Sequence, residues 1–354
     1  MHGTAPTDLL TGRQAYRRMV QRRLLLLGLL GVVLLVSVLA DLTIGPGRYG
    51  FADVARALFD ADAPITLRVV VWEIRLPVAL MAVLVGAGLS IAGAQMQTVL
   101  NNPLASPFTL GISAAAGFGA ALGFVLGVRL LPAGAAAWSV PANALICAMG
   151  TALLIDVLSR RRGATTETIV LLGIALVFTF NALISGLEFI ANEQALAAVV
   201  FWTMGSLGRA SWGKIAVIAA VLAVVWPLLA RQAWALTALR LGEARAASFG
   251  IKVAQLRLRT ILLVSALAAI SVSFVGTIGF IGIVGPHIAR MLIGEDQRFF
   301  LPASALAGAA VLSVASVMSK SLIPGLVLPI GIVTALVGVP FFFALILGTR
   351  TKSW

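Results

Sequence analysis

Gly276-Thr-Ile-Gly-Phe-Ile-Gly-Ile-Val-Gly-Pro-His-Ile-Ala-Arg-Met-Leu-Ile-Gly294 decides how many times the chain crosses a membrane. It sits in a stretch, 260–289, with no Asp, Glu, Lys or Arg. A spanning helix needs about 20 apolar residues, so this stretch is long for one crossing and short for two. Gly276, Gly279, Gly282 and Gly285 recur every third residue, and Pro286 follows. Small residues let helices approach closely in lipid. Pro286 removes a backbone donor, which apolar surroundings tolerate only where protein covers the backbone or a cavity opens beside it. The stretch therefore reads as one helix, a glycine-rich break, and a short helix ending near Leu292.

Outward from there, composition agrees with a membrane protein. Of 354 residues, 60% are hydrophobic and 11% charged, with a mean hydropathy of +1.05. A soluble domain is about 25% charged and could not hide this much apolar surface. Those figures exclude a soluble enzyme, a disordered chain and a secreted disulfide scaffold; the fold class is all-α and polytopic. Asn101-Asn102-Pro103 and Ser106-Pro107 split the uncharged stretch 76–128 into two helices. Ten spans result: 24–42, 76–97, 108–128, 137–158, 168–188, 213–231, 256–275, 279–292, 299–319 and 329–349.

The formal charge of +13 would signal nucleic acid in a soluble protein. Here it belongs in cytoplasmic loops, and no nucleic-acid partner is expected. With the N-terminus inside and ten spans, 18 of the 26 basic residues fall inside; if 260–289 crossed once, the split would be 15 against 11. The reading is a basic cytoplasmic tail (1–23), a single transmembrane domain (24–349) and a cytoplasmic tail (350–354), multi-pass in a bacterial cytoplasmic membrane. Val38-Leu39-Ala40 resembles a signal cleavage site, but the apolar core before it is long and more spans follow, so the segment reads as a retained span. Spans 76–188 and 256–349 hold four helices each and start on opposite sides, as an inverted repeat would.

Chemistry is sparse. The single cysteine, Cys147, and the two histidines give no metal cluster, and no catalytic residues are expected. Gly208-Arg-Ala-Ser-Trp-Gly213-Lys214 fits most of a phosphate-binding loop, but Ile215 stands where Ser or Thr would hold magnesium, and no strand precedes it. His287, beside a proline at a helix end, reads as structural ahead of a proton relay. Residues 238–252 are too polar and short to span. They form a short amphipathic helix that Gly250 ends, and that helix either docks a soluble partner or lies on lipid. Polar residues at membrane depth are functional candidates. Asn181 and Ser185, four apart, share a helix face, and Thr179 and Glu188 occupy the same span. Gln95, Gln97, Asn143 and Asp156 are further candidates, and helix-to-helix hydrogen bonding is the alternative for each. No acidic residue lies near a span centre, which argues against proton or sodium coupling. Phe51–Phe59, in the outside segment 43–75, is an amphipathic patch fit for a surface helix.

Four motifs resemble the membrane permeases of ABC importers for ferric siderophores, haem and cobalamin. They are Glu73-Ile-Arg-Leu-Pro77; Gly93-Ala-Gln-Met-Gln-Thr-Val-Leu-Asn-Asn-Pro-Leu-Ala-Ser-Pro107 with Leu110-Gly-Ile-Ser113; Leu241-Gly-Glu-Ala-Arg-Ala-Ala-Ser-Phe-Gly250; and 276–294 continuing to Leu301-Pro302 and Pro329-Ile-Gly-Ile-Val-Thr-Ala-Leu-Val-Gly-Val-Pro-Phe. They run in the family's order from about residue 70 to 343. The resemblance implies a type II ABC importer permease fold, working as a pair with a second copy or a paralogue. It implies two ATPase subunits, which use ATP and magnesium, and a periplasmic or lipid-anchored substrate-binding protein; this chain itself needs no cofactor beyond its membrane lipid. Leu241, Gly242, Glu243, Arg245, Ser248 and Gly250 would form the ATPase-coupling loop. Thr179, Asn181 and Ser185 would line the pathway, with the segment before the sixth span. Thr165 and Thr166, in the loop 163–167, would sit at the cytoplasmic gate. Arg56, Arg75 and Arg209 would face the binding protein. The sequence departs from the usual pattern at Val78 (usually arginine), Ser106 (an acid), Gln297 (histidine), Ser316 (aspartate) and Leu328 (glutamate).

Overall fold

The computed structural model describes residues 6–47, 49–132, 135–161 and 165–348, without the side chains of 6–11, 344–346 and 348. The tail 350–354 and Gly163 and Ala164 of the gate loop lie outside the described residues.

Fourteen helices follow in order, and no strand occurs among the described residues. They are α1 (Pro6–Thr43), α2 (Phe51–Phe59), α3 (Ile65–Val99, containing a π-helical stretch Val70–Arg75), α4 (Ile112–Val125) and α5 (Ala136–Arg161). Next come α6 (Thr166–Ile190), α7 (Glu193–Thr203), α8 (Trp212–Ala230), α9 (Ala233–Leu239) and α10 (Glu243–Ser248). The last four are α11 (Val253–Val275), α12 (Ile281–Ile293), α13 (Gln297–Ser321) and α14 (Ile330–Gly348). Seven are long and apolar enough to cross a membrane, and α4, α12 and α14 are shorter apolar helices, so the expected spans each have a helix.

The deciding stretch breaks where expected. α11 ends at Val275, Gly276 takes φ 81°, and α12 begins after Phe280 at φ 68°. A Cβ on Gly276 would lie 2.2 Å from the Trp202 carbonyl oxygen, so the turn needs glycine. Phe280, though not glycine, is held by packing, because its side chain fills the notch at Gly338 of α14.

Two boundaries differ from the sequence reading. The basic tail is helical from Pro6: Leu, Arg, Gln and Met favour helix, and the span propagates through them without paying a new nucleation cost. The third span shortens to Ile112–Val125, because residues 101–110 form turns and Gly111 adopts φ 79° at the helix start.

The core is built on α3, which packs mainly against α13, α11 and α12. Gly86, Ser90 and Gly93 lie four and three residues apart, on one helix face. A Cβ on Gly86 would meet the Gly308 carbonyl oxygen at 2.5 Å, and one on Gly93 the Gly282 carbonyl oxygen at 1.8 Å. Ser90 donates to the Ser304 carbonyl at 2.6 Å and fills the space beside Gly285 and Gly308. Dispersion across backbone-to-backbone contact, rather than a hydrophobic force, holds helices together in lipid. By contrast α1, α6 and α8 are largely exposed along their apolar lengths.

Gly93→Ala should therefore lower the detergent melting temperature or prevent folding, at a cost of about 1–3 kcal/mol or more from overpacking. Gly150→Ala, where nothing lies within 4 Å, should not. A thermal melt followed by size-exclusion chromatography checks both.

Candidate functional site: a polar end network and an outward cavity

The C-terminal end of α3 carries polar side chains into the bundle. Gln95 and Gln97 are buried, and each finds a partner for its amide N–H. Gln95 donates to the Gln297 side-chain oxygen at 2.8 Å, and Gln297 donates on to the Thr98 hydroxyl at 3.1 Å. Gln297, one of the departures from the family pattern, thus closes a neutral amide chain with Gln95. Gln97 donates to the Gly282 carbonyl at 3.2 Å and accepts from Arg290 at 2.9 Å. Arg257 donates to the Val99 carbonyl at 2.9 Å, and Arg240 to the Asn101 side chain at 3.3 Å.

The turn between α12 and α13 supplies the acids. Glu295 pairs with Arg240 and, at 2.9 Å, with Arg290. Asp296 caps α13 and binds Arg298 at 2.7 Å and Arg23 of α1 at 3.1 Å. Hydrogen bonding from Arg298 holds the Asp296 carboxyl below its usual range. The read-as-cytoplasmic ends of α1, α3, α9, α11, α12 and α13 are thereby tied together.

The expected coupling loop forms α9, a turn and α10. Gly242 at φ 102° starts α10, and Gly250 at φ 80° ends it. Leu241, Gly242, Glu243, Arg245, Ser248 and Gly250 are all exposed, while Ala246 is fully buried and anchors the helix. Glu243 is exposed and also bound, its carboxylate pairing with Arg257 of α11. Ser248 turns back to the Arg245 carbonyl at 2.7 Å. Phe249 is exposed and sits 6.2 Å from the Trp234 ring, adding an aromatic patch to this surface.

On α6, Thr165 caps the first turn by accepting from the Thr168 N–H at 3.3 Å, and Thr166 is half-buried beside it. Asn181 and Ser185 are exposed and bond no other helix among the described residues. Thr179 is exposed but lies well round the helix from them, its hydroxyl bonded to Ala175 of the same helix. Asn143 donates to the Val128 carbonyl at 2.8 Å, in the turn that follows α4, and Asp156 pairs with Arg160 of its own helix. His287 packs edge-on against Phe341 at 5.5 Å, a structural role.

At the opposite end a cavity of about 820 Å³ opens between the 44–49 segment, the start of α3, the 201–209 segment and the 326–330 segment. Val78, Ser316 and Leu328, three of the departures, line it together, so charged positions of the usual pattern are neutral here. Arg56, on α2, is exposed and pairs with Asp60 at 3.1 Å. Arg75 corrects the expectation of an outward-facing docking arginine. It is 5% exposed, donates to the carbonyls of Leu42 (2.7 Å), Thr43 (2.8 Å) and Gly47 (2.6 Å), and stacks on Tyr49 at 5.2 Å. Its charge fastens Leu42, Thr43, Gly47 and Tyr49 onto α3. Arg209 lines the cavity, half-buried, with one bond to the Phe201 carbonyl at 3.1 Å.

Sequence reading missed Asp41. It is fully buried at the end of α1, pairs with Lys320 at 2.8 Å and accepts from Ser316 at 3.1 Å. Its only signal was an acid at a span end with no nearby base in sequence. No group of three or more His, Cys, Asp or Glu side chains able to hold a metal occurs among the described residues.

Asp41→Asn should strand the Lys320 ammonium and cost about 3–5 kcal/mol, whereas Asp41→Asn with Lys320→Met should recover most of that. Detergent melts of the two single variants and the double check it; additive losses would show the pair is uncoupled.

Comparison with known proteins closes the question of family. The model of the FecCD transport family matches residues 33–348. The chain is 36% identical over 333 residues to the hemin transport system permease protein HmuU of Yersinia pestis, covering 94% of this chain and 98% of that one. It is 38% identical over 284 residues to the vitamin B12 import system permease protein BtuC of Serratia proteamaculans, covering 80% and 82%. It is 31% identical over 326 residues to the molybdate import system permease protein MolB of Haemophilus influenzae, covering 90% and 94%. Among solved structures, a metal-chelate type ABC transporter in an inward-facing conformation aligns with a TM-score of 0.80 and 30% identity, covering 91% of this chain and 99% of that one. With helices for all ten expected spans and the family's motifs in order, the chain belongs to the FecCD transport family and has the fold of an ABC importer permease.

Proposed function

We propose that this permease carries an iron(III)-siderophore chelate inward across the bacterial cytoplasmic membrane. The energy comes from ATP and magnesium used by two separate ATPase subunits docked at 238–252. The observation that carries the substrate class is the alignment, at a TM-score of 0.80, with a transporter of metal-chelate type. The relative whose name specifies hemin supports haem as the second reading, since haem is also an iron chelate. Cobalamin is a third, and it follows from the B12 permeases among the relatives.

Both termini are assigned to the cytoplasm on the charge distribution. Arg56 and Arg209, at the cavity end, are assigned to the substrate-binding protein. The partner permease, a second copy or a paralogue, would cover the exposed apolar face of α6 that includes Phe178 and Phe189. Asn181 and Ser185 support a pathway on that side. An exposed amide facing hydrocarbon is costly, and a water-filled pathway removes the cost. Thr165 and Thr166, where α6 begins, are assigned to the gate.

The test is uptake in the native host with the gene deleted and restored, using radioactive ferric siderophore, haem and cobalamin in parallel. Siderophore uptake restored alone supports the proposal; restoration of only haem or only cobalamin replaces it with that substrate. Asn181→Leu should reduce uptake at least several-fold while the protein still inserts and purifies as a complex; failure to fold would assign Asn181 to packing.

A further inference from the structure

We propose that Arg257 is the joint through which the coupling helix α10 moves the end of α3. This rests on the permease reading above and names the residue that transmits its motion.

Arg257 lies in the first turns of α11, a helix that is mostly buried and so moves as a rigid piece. Its side chain is 4% exposed, yet it joins α11 to α10 and to α3. It pairs with Glu243, the first residue of α10. Its Nε donates to the Val99 carbonyl at the last residue of α3, at 2.9 Å. A guanidinium suits this work: it is always charged, planar, and offers five donors in fixed directions.

α10 is built to move as a unit. Gly242 and Gly250 flank it in conformations that favour glycine, and a Cβ at either would meet nothing within 4 Å. Backbone rotation at those two points costs little, and between them α10 touches the core through buried Ala246 and the Glu243–Arg257 pair. Glu243 is 61% exposed, so a docked partner can reach the helix while its carboxylate still holds Arg257. A displacement of α10 is then delivered to a buried cation that bonds the end of α3. Arg257 and Glu243 are positioning residues; neither needs to touch the cargo.

The test uses the whole importer in proteoliposomes, with the substrate that restores uptake, and measures cargo moved per ATP hydrolysed. Glu243→Gln and Arg257→Gln should each lower this ratio about tenfold, the effect of losing one charge-assisted hydrogen bond. Arg257→Lys should recover only part, because a point charge cannot make the forked contacts. A merely structural role would change the yield of complex and leave the ratio alone. An unchanged ratio in Glu243→Gln, whose side chain is exposed enough not to threaten folding, would overturn the joint. So would an unchanged ratio in Arg257→Gln beside a lowered one in Glu243→Gln, which would place the action of Glu243 on the ATPase itself. If no ATPase accompanies the unaltered chain, the permease reading fails instead.

Discussion

Close backbone contact along one face of α3 is the constraint on which the rest depends. Gly86 and Gly93 bring that helix against α13 and α12 at separations that leave no room for a side chain, and the small Ser90 bonds across between them. Lipid offers no hydrophobic reward for joining helices, so contact area and local hydrogen bonds must supply the attraction. That contact in turn fixes the polar end of α3. Once Gly93 rests on Gly282, Gln97 one turn on falls within reach of the Gly282 carbonyl and of Arg290, and Gln95 within reach of Gln297. The charged network at that end is a consequence of glycine packing deeper in the bundle.

The two ends of the molecule spend their charge differently. At the end read as cytoplasmic, Arg240 and Arg290 share Glu295, Arg23 and Arg298 share Asp296, and Arg257 pairs with Glu243. At the other end Arg75 holds bare carbonyls, Lys320 holds Asp41, and the cavity between them is lined largely by apolar and neutral residues. The first end is linked across elements. The second is fastened locally and leaves an open apolar hollow.

Much of the fold was legible because its signals are local. Breaks at Asn101-Asn102-Pro103 and at 276–280 follow from Gly, Pro and Asn chemistry, and the surface helix Phe51–Phe59 from its apolar spacing. The helical continuation of α1 was not legible, since charge marks where a span leaves the membrane and not where its hydrogen bonding stops. The burial of Arg75 and Asp41 was hidden because each depends on partners far along the chain: Asp41 on Lys320 and Ser316, and Arg75 on carbonyls at 42–47. Glu243 read as an exposed docking residue and proved also to be an anchor, because only the fold brings Arg257 beneath it. Asn181 and Ser185 kept their shared face, whereas the fold turned Thr179 elsewhere.

The central claim is that this chain moves cargo only when driven by a separate ATPase docked at α9 and α10. The most direct measurement is purification of the tagged chain from its own host in mild detergent, with intact-mass analysis of the complex. The account predicts two permease chains with two ATPase subunits, and uptake in proteoliposomes that requires ATP. A folded chain that purifies without any ATPase, and whose uptake collapses with a proton uncoupler, would contradict it.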